Sequence, residues 1–218
     1  RMHQVVERLA ELAASWMVAG FVHGVLNTDN MNVTGESFDY GPWRWLPAWD
    51  PQFTAAYFDH SGLYAFGRQP EALYWNCWQL AVALRALAEA PPLVAALERF
   101  GPLYQAALAE RFLWRLGLEP QGEEADTALI GEAERFMREG QFSPDAFFHR
   151  HRQGRNPPDG PFGEALRRYS AAGADHPLWA EEAPPTLVIE RVEEIWTAIA
   201  ERDDWEPLAT QISAIRRL

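Results

Sequence analysis

Apolar side chains recur at intervals of three and four along most of the chain. In residues 4–19 they fall at Val5, Leu9, Leu12 and Trp16, the single stripe of an amphipathic helix. Residues 71–88 repeat the pattern with Leu73, Cys77, Leu80, Leu84 and Leu87. Pro91-Pro92 is expected to end that helix, because proline lacks the N–H that would continue it. Leu93, Leu97 and Phe100 then predict a short helix broken by Gly101-Pro102. A longer one follows to about Leu116, with Tyr104, Leu108 and Phe112 on one stripe. Asp126 can cap a helix that runs to about Arg138, and Ser143-Pro144 reads as a cap followed by proline in the first turn. Residues 186–201 and 207–217 predict two terminal helices, the first with Val188, Val192, Ile195 and Ile199 on one face.

The helical pattern stops in three places. Residues 31–39, MNVTGESFD, form two short runs around Gly35 and predict a small β-hairpin. Residues 41–51, GPWRWLPAWDP, predict a long loop with a functional or docking role. Residues 152–162, RQGRNPPDGPF, are rich in turn formers and predict another loop. The fold class expected is therefore mainly α with one small hairpin.

Composition narrows the function classes. With 48% hydrophobic residues and ten Trp in 218 residues, the chain can bury a core. No apolar run reaches the roughly 18 residues that span a bilayer. The longest candidate, residues 12–25, is closed off by His23 and Asn27, and no signal peptide is evident. The first residue is Arg rather than Met, as in a processed or partial chain. A formal charge of −12 argues against nucleic acid as a partner. Cys77 is the one cysteine, which leaves no internal disulfide and no cysteine-built zinc cage, and makes the cytoplasm the natural compartment. All 19 basic residues are Arg, a bias that a G- and C-rich genome explains. Any lysine that binds phosphate must come from outside this chain.

The polar residues concentrate in HGVLNTDN, residues 23–30, and in FDYGP, residues 38–42. Alone, Asp29-Asn30 reads as an Asx turn or cap, and Asp39-Tyr40-Gly41 as turn chemistry. Their order changes the reading. Helix, polar loop, hairpin, acidic turn, long loop and helices is the order of a protein-kinase C-lobe, where H-R-D-x-x-x-x-N precedes a hairpin and D-F-G. With His23 on the kinase histidine, Asn30 falls on the metal-binding asparagine and Asp39-Tyr40-Gly41 on D-F-G. The kinase aspartate is replaced by Val25, and a different carboxylate, Asp29, stands before Asn30. His23 is expected to hydrogen-bond the loop, and Asp59-His60 to anchor another. His149 and His151 lack a third ligand at a plausible spacing and read as solvated. Trp43, Trp45 and Trp49 suit core packing or a lobe contact over partner docking.

These residues resemble the selenoprotein O family of kinase-fold protein adenylyltransferases. The likeness rests on GFVHGVLNTDNMNVTGESFDYGPW (20–43), DHSGLYAFGRQP (59–70) and WNCWQLAVAL (75–84). The resemblance implies AMP transfer from ATP to protein hydroxyls, with the nucleotide turned around relative to ordinary kinases. It implies Asp29 as the base and Asn30 and Asp39 as ligands of Mg2+, which favours oxygen donors. Residues 1–90 would carry the catalytic loop and metal ligands, and 91–218 would complete the same domain with helices. The family's N-lobe, with its lysine, would be absent, so the isolated chain is expected to fold but not to catalyse. Surface left bare by that lobe could be covered by self-association. The chain ends AIRRL, which gives no support for the C-terminal redox control of some members. Two other readings stay open: a kinase-like phosphotransferase that moves the γ-phosphate, and a non-catalytic pseudokinase or interaction domain.

Overall fold

The computed structural model describes residues 1–173, 179 and 183–217. Helix α1 (Met2–Ala19) is the element around which the others gather, packing on both α4 (Phe100–Leu116) and α2 (Gln69–Leu84). Its buried stripe includes Val6, Leu9, Ala10, Ala13, Ala14, Trp16 and Met17. The alanines let neighbouring helices approach closely, while the larger side chains fill the spaces between. One apolar cluster joins Met17 and Val18 to Leu46, Phe66, Phe112 and Phe147. A second joins Val6, Leu9 and Trp16 to Leu73, Cys77, Leu93 and Phe100. Fully buried side chains such as Leu73 and Phe66 contribute about 1.5–3 kcal/mol each.

α1 ends where the sequence changes from apolar stripe to polar loop. Gly20 takes the left-handed conformation (φ 71°), and its N–H donates to the carbonyls of Met17 and Trp16. A Cβ there would overlap the Pro144 ring, so both the backbone and the packing require glycine. The chain then enters β1 (Phe21–Val22), which pairs antiparallel with β2 (Arg44–Trp45) in the register Phe21↔Trp45 and Val22↔Arg44.

This two-stranded sheet lies outside the predicted hairpin. Residues 31–39 do turn back at Gly35, but only one antiparallel bridge forms, Met31↔Ser37. Val33 and Phe38 are 55% and 68% exposed, so neither run has an apolar face to hold an extended ladder. The strand partners are instead the buried Phe21–Val22, which follow α1, and the half-buried Arg44–Trp45 inside the predicted loop 41–51. In that loop Trp49 is buried edge-on to Phe66, Trp45 packs half-buried on Phe21, and Trp43 remains partly exposed.

Two prolines mark a start rather than an end. α2 stops at Leu84, and Pro91-Pro92 opens α3 (Ala90–Leu97), where the missing N–H groups have no intrahelical partner to lose. Gly101-Pro102 likewise sits in the first turn of α4. α5 (Glu123–Glu139) and α6 (Pro144–His151) follow, with Ser143 Oγ accepting from the Ala146 N–H at 3.2 Å as predicted. Asp126 does not start α5 as expected: Gly122 is the N-cap residue, and Asp126, inside the first turn, accepts from the N–H groups of Gln121 and Gly122 that precede the helix. The predicted loop 152–162 gives way after residue 160 to α7 (Pro161–Leu166), which buries Phe162 and Leu166. α8 (Ile189–Arg202) and α9 (Glu206–Ile215) complete the described chain.

The expectation that His149 and His151 are solvated is not met. His151 is 1% exposed among the rings of Phe136, Phe147 and Phe162. His149 is half-buried, and its Nε2 is buried without a hydrogen-bond partner among the described residues. Both lie on the amphipathic α6, and pattern alone did not distinguish its inner polar positions from its outer ones. Among the described residues, no helix is long and apolar enough to cross a membrane.

Candidate functional site

β1 delivers the polar loop straight from the core. His23 is fully buried, and its backbone N–H donates to Gln69 Oε1 at 2.9 Å. The same Gln69 amide donates from Nε2 to the Phe21 carbonyl at 2.8 Å, so one side chain of α2 grips both sides of Val22. Asn76, two turns along α2, donates from Nδ2 to the Leu26 carbonyl at 3.1 Å. Loop residues 23–26 are thereby fastened to a helix, which removes much of the freedom a polar loop would otherwise have.

Hydrogen bonds define the state of the His23 ring. The Val25 N–H donates to Nδ1 at 3.3 Å, so Nδ1 is the acceptor and Nε2 carries the proton. Nε2–H then donates to Ser37 Oγ at 2.7 Å. The Ser37 hydroxyl reaches the carbonyls of Asn30 at 2.9 Å and Asp39 at 3.2 Å, and its one proton serves whichever it faces. Burial pushes the His23 pKa below its ordinary value, and the nearby Asp39 charge offsets this only partly. The neutral ring this favours matches the tautomer required by its partners. The ring also packs on Tyr40, 5.4 Å between centroids, which ties the second polar motif to the first.

The three carboxylate and amide residues picked out in the sequence sit at the surface of this buried frame. Thr28–Asn30 form one turn of 3-10 helix. Asp29 is exposed on that turn. Asn30 is half-buried, and its Nδ2 donates to the Val25 carbonyl at 2.9 Å, which leaves Oδ1 as the free end of the amide. Asp39 is exposed, with Oδ1 accepting from the Gly41 N–H at 3.0 Å. The structure thus brings the main chains of Asn30 and Asp39 to one buried hydroxyl, with Asp29 adjacent on the 3-10 turn.

The donors this arrangement offers are an amide oxygen and carboxylate oxygens, the hard ligands that suit Mg2+. No group of three or more His, Cys, Asp or Glu residues among those described could hold a metal by itself. A cation here would need oxygens from a ligand such as a phosphate chain to complete its shell.

Other residues were harder to foresee. Ser37, Gln69 and Asn76 orient the loop, yet they stood in the sequence as ordinary polar side chains. One signal was present: Gln69 and Asn76 are seven residues apart, on one face of a largely apolar helix. Asp59 does anchor its loop, accepting from the N–H groups of Leu63 and Tyr64 at 2.8 Å each.

The sequence profile of the family described as "Protein adenylyltransferase SelO" matches residues 2–159. A curated "Protein nucleotidyltransferase YdiU" from Synechocystis sp. is 36% identical over 233 residues, covering 93% of this chain and 49% of that protein. The protein of the same name from Gloeobacter violaceus is 35% identical over 239 residues, covering 98% of this chain and 50% of that protein. That from Synechococcus elongatus is 52% identical over 116 residues, covering 53% of this chain and 24% of that protein. The chain spans about half the length of the first two of these relatives.

Proposed function

The chain belongs to the SelO family of protein adenylyltransferases, and from that premise we propose that it carries the acceptor-activating and metal-binding part of an enzyme that moves AMP from ATP to protein hydroxyls. Asp29 is the base, and Asn30 and Asp39 hold Mg2+. The frame is a kinase-like C-lobe in which residues 1–90 carry the site and 91–218 complete the same domain.

The observation that carries this reading is the single buried Ser37 hydroxyl between the main chains of Asn30 and Asp39. Two oxygen donors held by one rigid frame suit a site that must position a metal and phosphates closely. His23 acts through that frame: it stays neutral and keeps the serine in place, and touches neither metal nor substrate. Asp29 has no hydrogen bond to the frame among the described residues and stands exposed, free to meet an acceptor O–H. It would orient that hydroxyl and take its proton as the oxygen attacks the α-phosphorus. The new P–O bond replaces the bond to the β-phosphate, and pyrophosphate leaves. When bound, Mg2+ would neutralise charge on the phosphates.

The chain by itself is expected to be inactive. It has no lysine for the phosphates, and its net charge of −12 repels ATP. The test therefore uses the complete protein, this chain with any sequence that flanks it in nature. ATP labelled in the adenine or in the γ-phosphate is supplied with magnesium and protein acceptors. Adenine label should appear on protein. Asp29→Ala should cut turnover about 10²–10⁴-fold with little change in nucleotide affinity, whereas Asp39→Ala should lower both. Transfer of the γ-label would establish a phosphotransferase instead. Unchanged AMP transfer by Asp29→Ala would reduce Asp29 to a turn residue.

A further inference from the structure

Two cavities flank the 3-10 turn that carries Asp29. The larger, about 660 Å³, is lined by Thr28 and by Leu63, Tyr64, Tyr74 and Trp75. The smaller, about 380 Å³, is lined by Thr28 and by Val5, Met31, Val33 and Leu80. Thr28 and Gln79 border both, so the cavities adjoin and form one groove across α2, with Asp29 next in sequence to the shared threonine.

The lining chemistry of the described residues offers little to the phosphates of a nucleotide. Arg68 is the one basic residue along the groove, and its Nε is paired with Glu71 at 3.2 Å. The smaller cavity has no charged lining residue. A triphosphate needs several unpaired cations or backbone donors, whereas an uncharged segment with apolar side chains needs neither.

We propose that this groove seats the acceptor polypeptide in extended form, with apolar residues on both sides of the hydroxyl that Asp29 meets. The inference rests on the adenylyltransferase reading above and extends it to substrate choice. In an extended segment alternate side chains face one way, about 7 Å apart. The residues two before and two after the acceptor therefore point to the same side as its hydroxyl. The larger cavity takes an aromatic ring, which can stack on Trp75, itself 54% exposed. The smaller takes an aliphatic side chain against Val33 and Leu80.

The test measures AMP incorporation by the complete protein into peptides with one fixed hydroxyl and varied flanks. Trp75→Ala and Val33→Asp alter one cavity each, and both positions are exposed enough to leave the core intact. Wild-type protein should prefer an apolar residue on each side. Each substitution should raise KM for the preferred peptide at least about tenfold and erase the preference on its own side alone. KM for ATP should not move. AMP transfer that ignores the flanks and both substitutions overturns the groove proposal and leaves the activity standing. Absence of AMP transfer by wild-type protein overturns the activity and this proposal together. If either substitution changes oligomeric state or melting temperature instead of KM, the groove is covered by a second copy or another part of the protein, and the proposal falls.

Discussion

Ser37→Ala removes a single oxygen from the centre of the site frame. Three groups depend on that oxygen: His23 Nε2 at 2.7 Å, the Asn30 carbonyl at 2.9 Å and the Asp39 carbonyl at 3.2 Å. The costs differ. The loop around residues 38–40 is exposed, so water can replace the serine at the Asp39 carbonyl, and the half-buried Asn30 can relax toward solvent. His23 cannot, because its ring is fully buried. Its Nε2–H would lose its 2.7 Å acceptor and keep only the Asp39 main-chain carbonyl, at up to about 1–3 kcal/mol. Moving the proton to Nδ1 does not help, since Nδ1 faces the Val25 N–H and two donors would then oppose each other. For a chain of this size each kcal/mol lowers the melting temperature by roughly 2–4 °C, so the expected drop is roughly 2–12 °C. Thermal and urea unfolding followed by circular dichroism would measure it. A double-mutant cycle isolates the cause, because His23→Leu removes the donor. In that background Ser37→Ala should cost at least about 0.5 kcal/mol less. A Ser37→Ala protein that melts within about 1 °C of wild type, or a cycle with no coupling, would refute the hydrogen-bond chain.

Acid should destabilise the fold through its buried histidines. Burial holds the pKa values of His23 and His151 below the ordinary 6.5, so the folded state favours their neutral forms. Their stabilising effect is complete above about pH 6.5 and is lost as pH falls from there toward the folded-state values. The urea midpoint should therefore drop between about pH 7.5 and 5.5. The drop should be smaller in His151→Phe, and parallel profiles would exclude that residue as a contributor. Gly20→Ala should destabilise by more than about 1 kcal/mol, since the positive φ and the approach of Pro144 both resist a Cβ; an unchanged urea midpoint would contradict the packing. Arg115 donates to the Val18 carbonyl and to Asp145 at 2.7 Å, joining α4 to the end of α1 and to α6. Arg115→Met should cost about 1–3 kcal/mol by equilibrium unfolding, and a neutral result would make the pair a surface ornament.

The helical character of the chain was legible in its periodicity because a helix needs only local hydrogen bonds and one apolar face. α1, the end of α4 at Leu116 and the Ser143 cap lie within a residue or two of their predicted places. The prolines at 91 and 92 were correctly seen as a boundary, but a boundary has two sides, and the sequence did not show which side they occupied. The approach of Asn30 to Asp39 was legible for another reason: their motifs are short, contiguous and separated by a length that a turn can close. Everything depending on distant partners was not. The strands Phe21–Val22 and Arg44–Trp45 are two residues long and exist because the chain between them returns to α1. His151 is buried because α5, α6 and α7 surround it with rings, a fact that its polarity conceals. The sequence by itself determined the helices, the absence of lysine and the order of the polar motifs. Tertiary structure alone decided that Ser37, Gln69 and Asn76 would hold those motifs in place. Such hydrogen bonds reach across 7 to 50 positions, and neither propensity nor periodicity carries information over that separation.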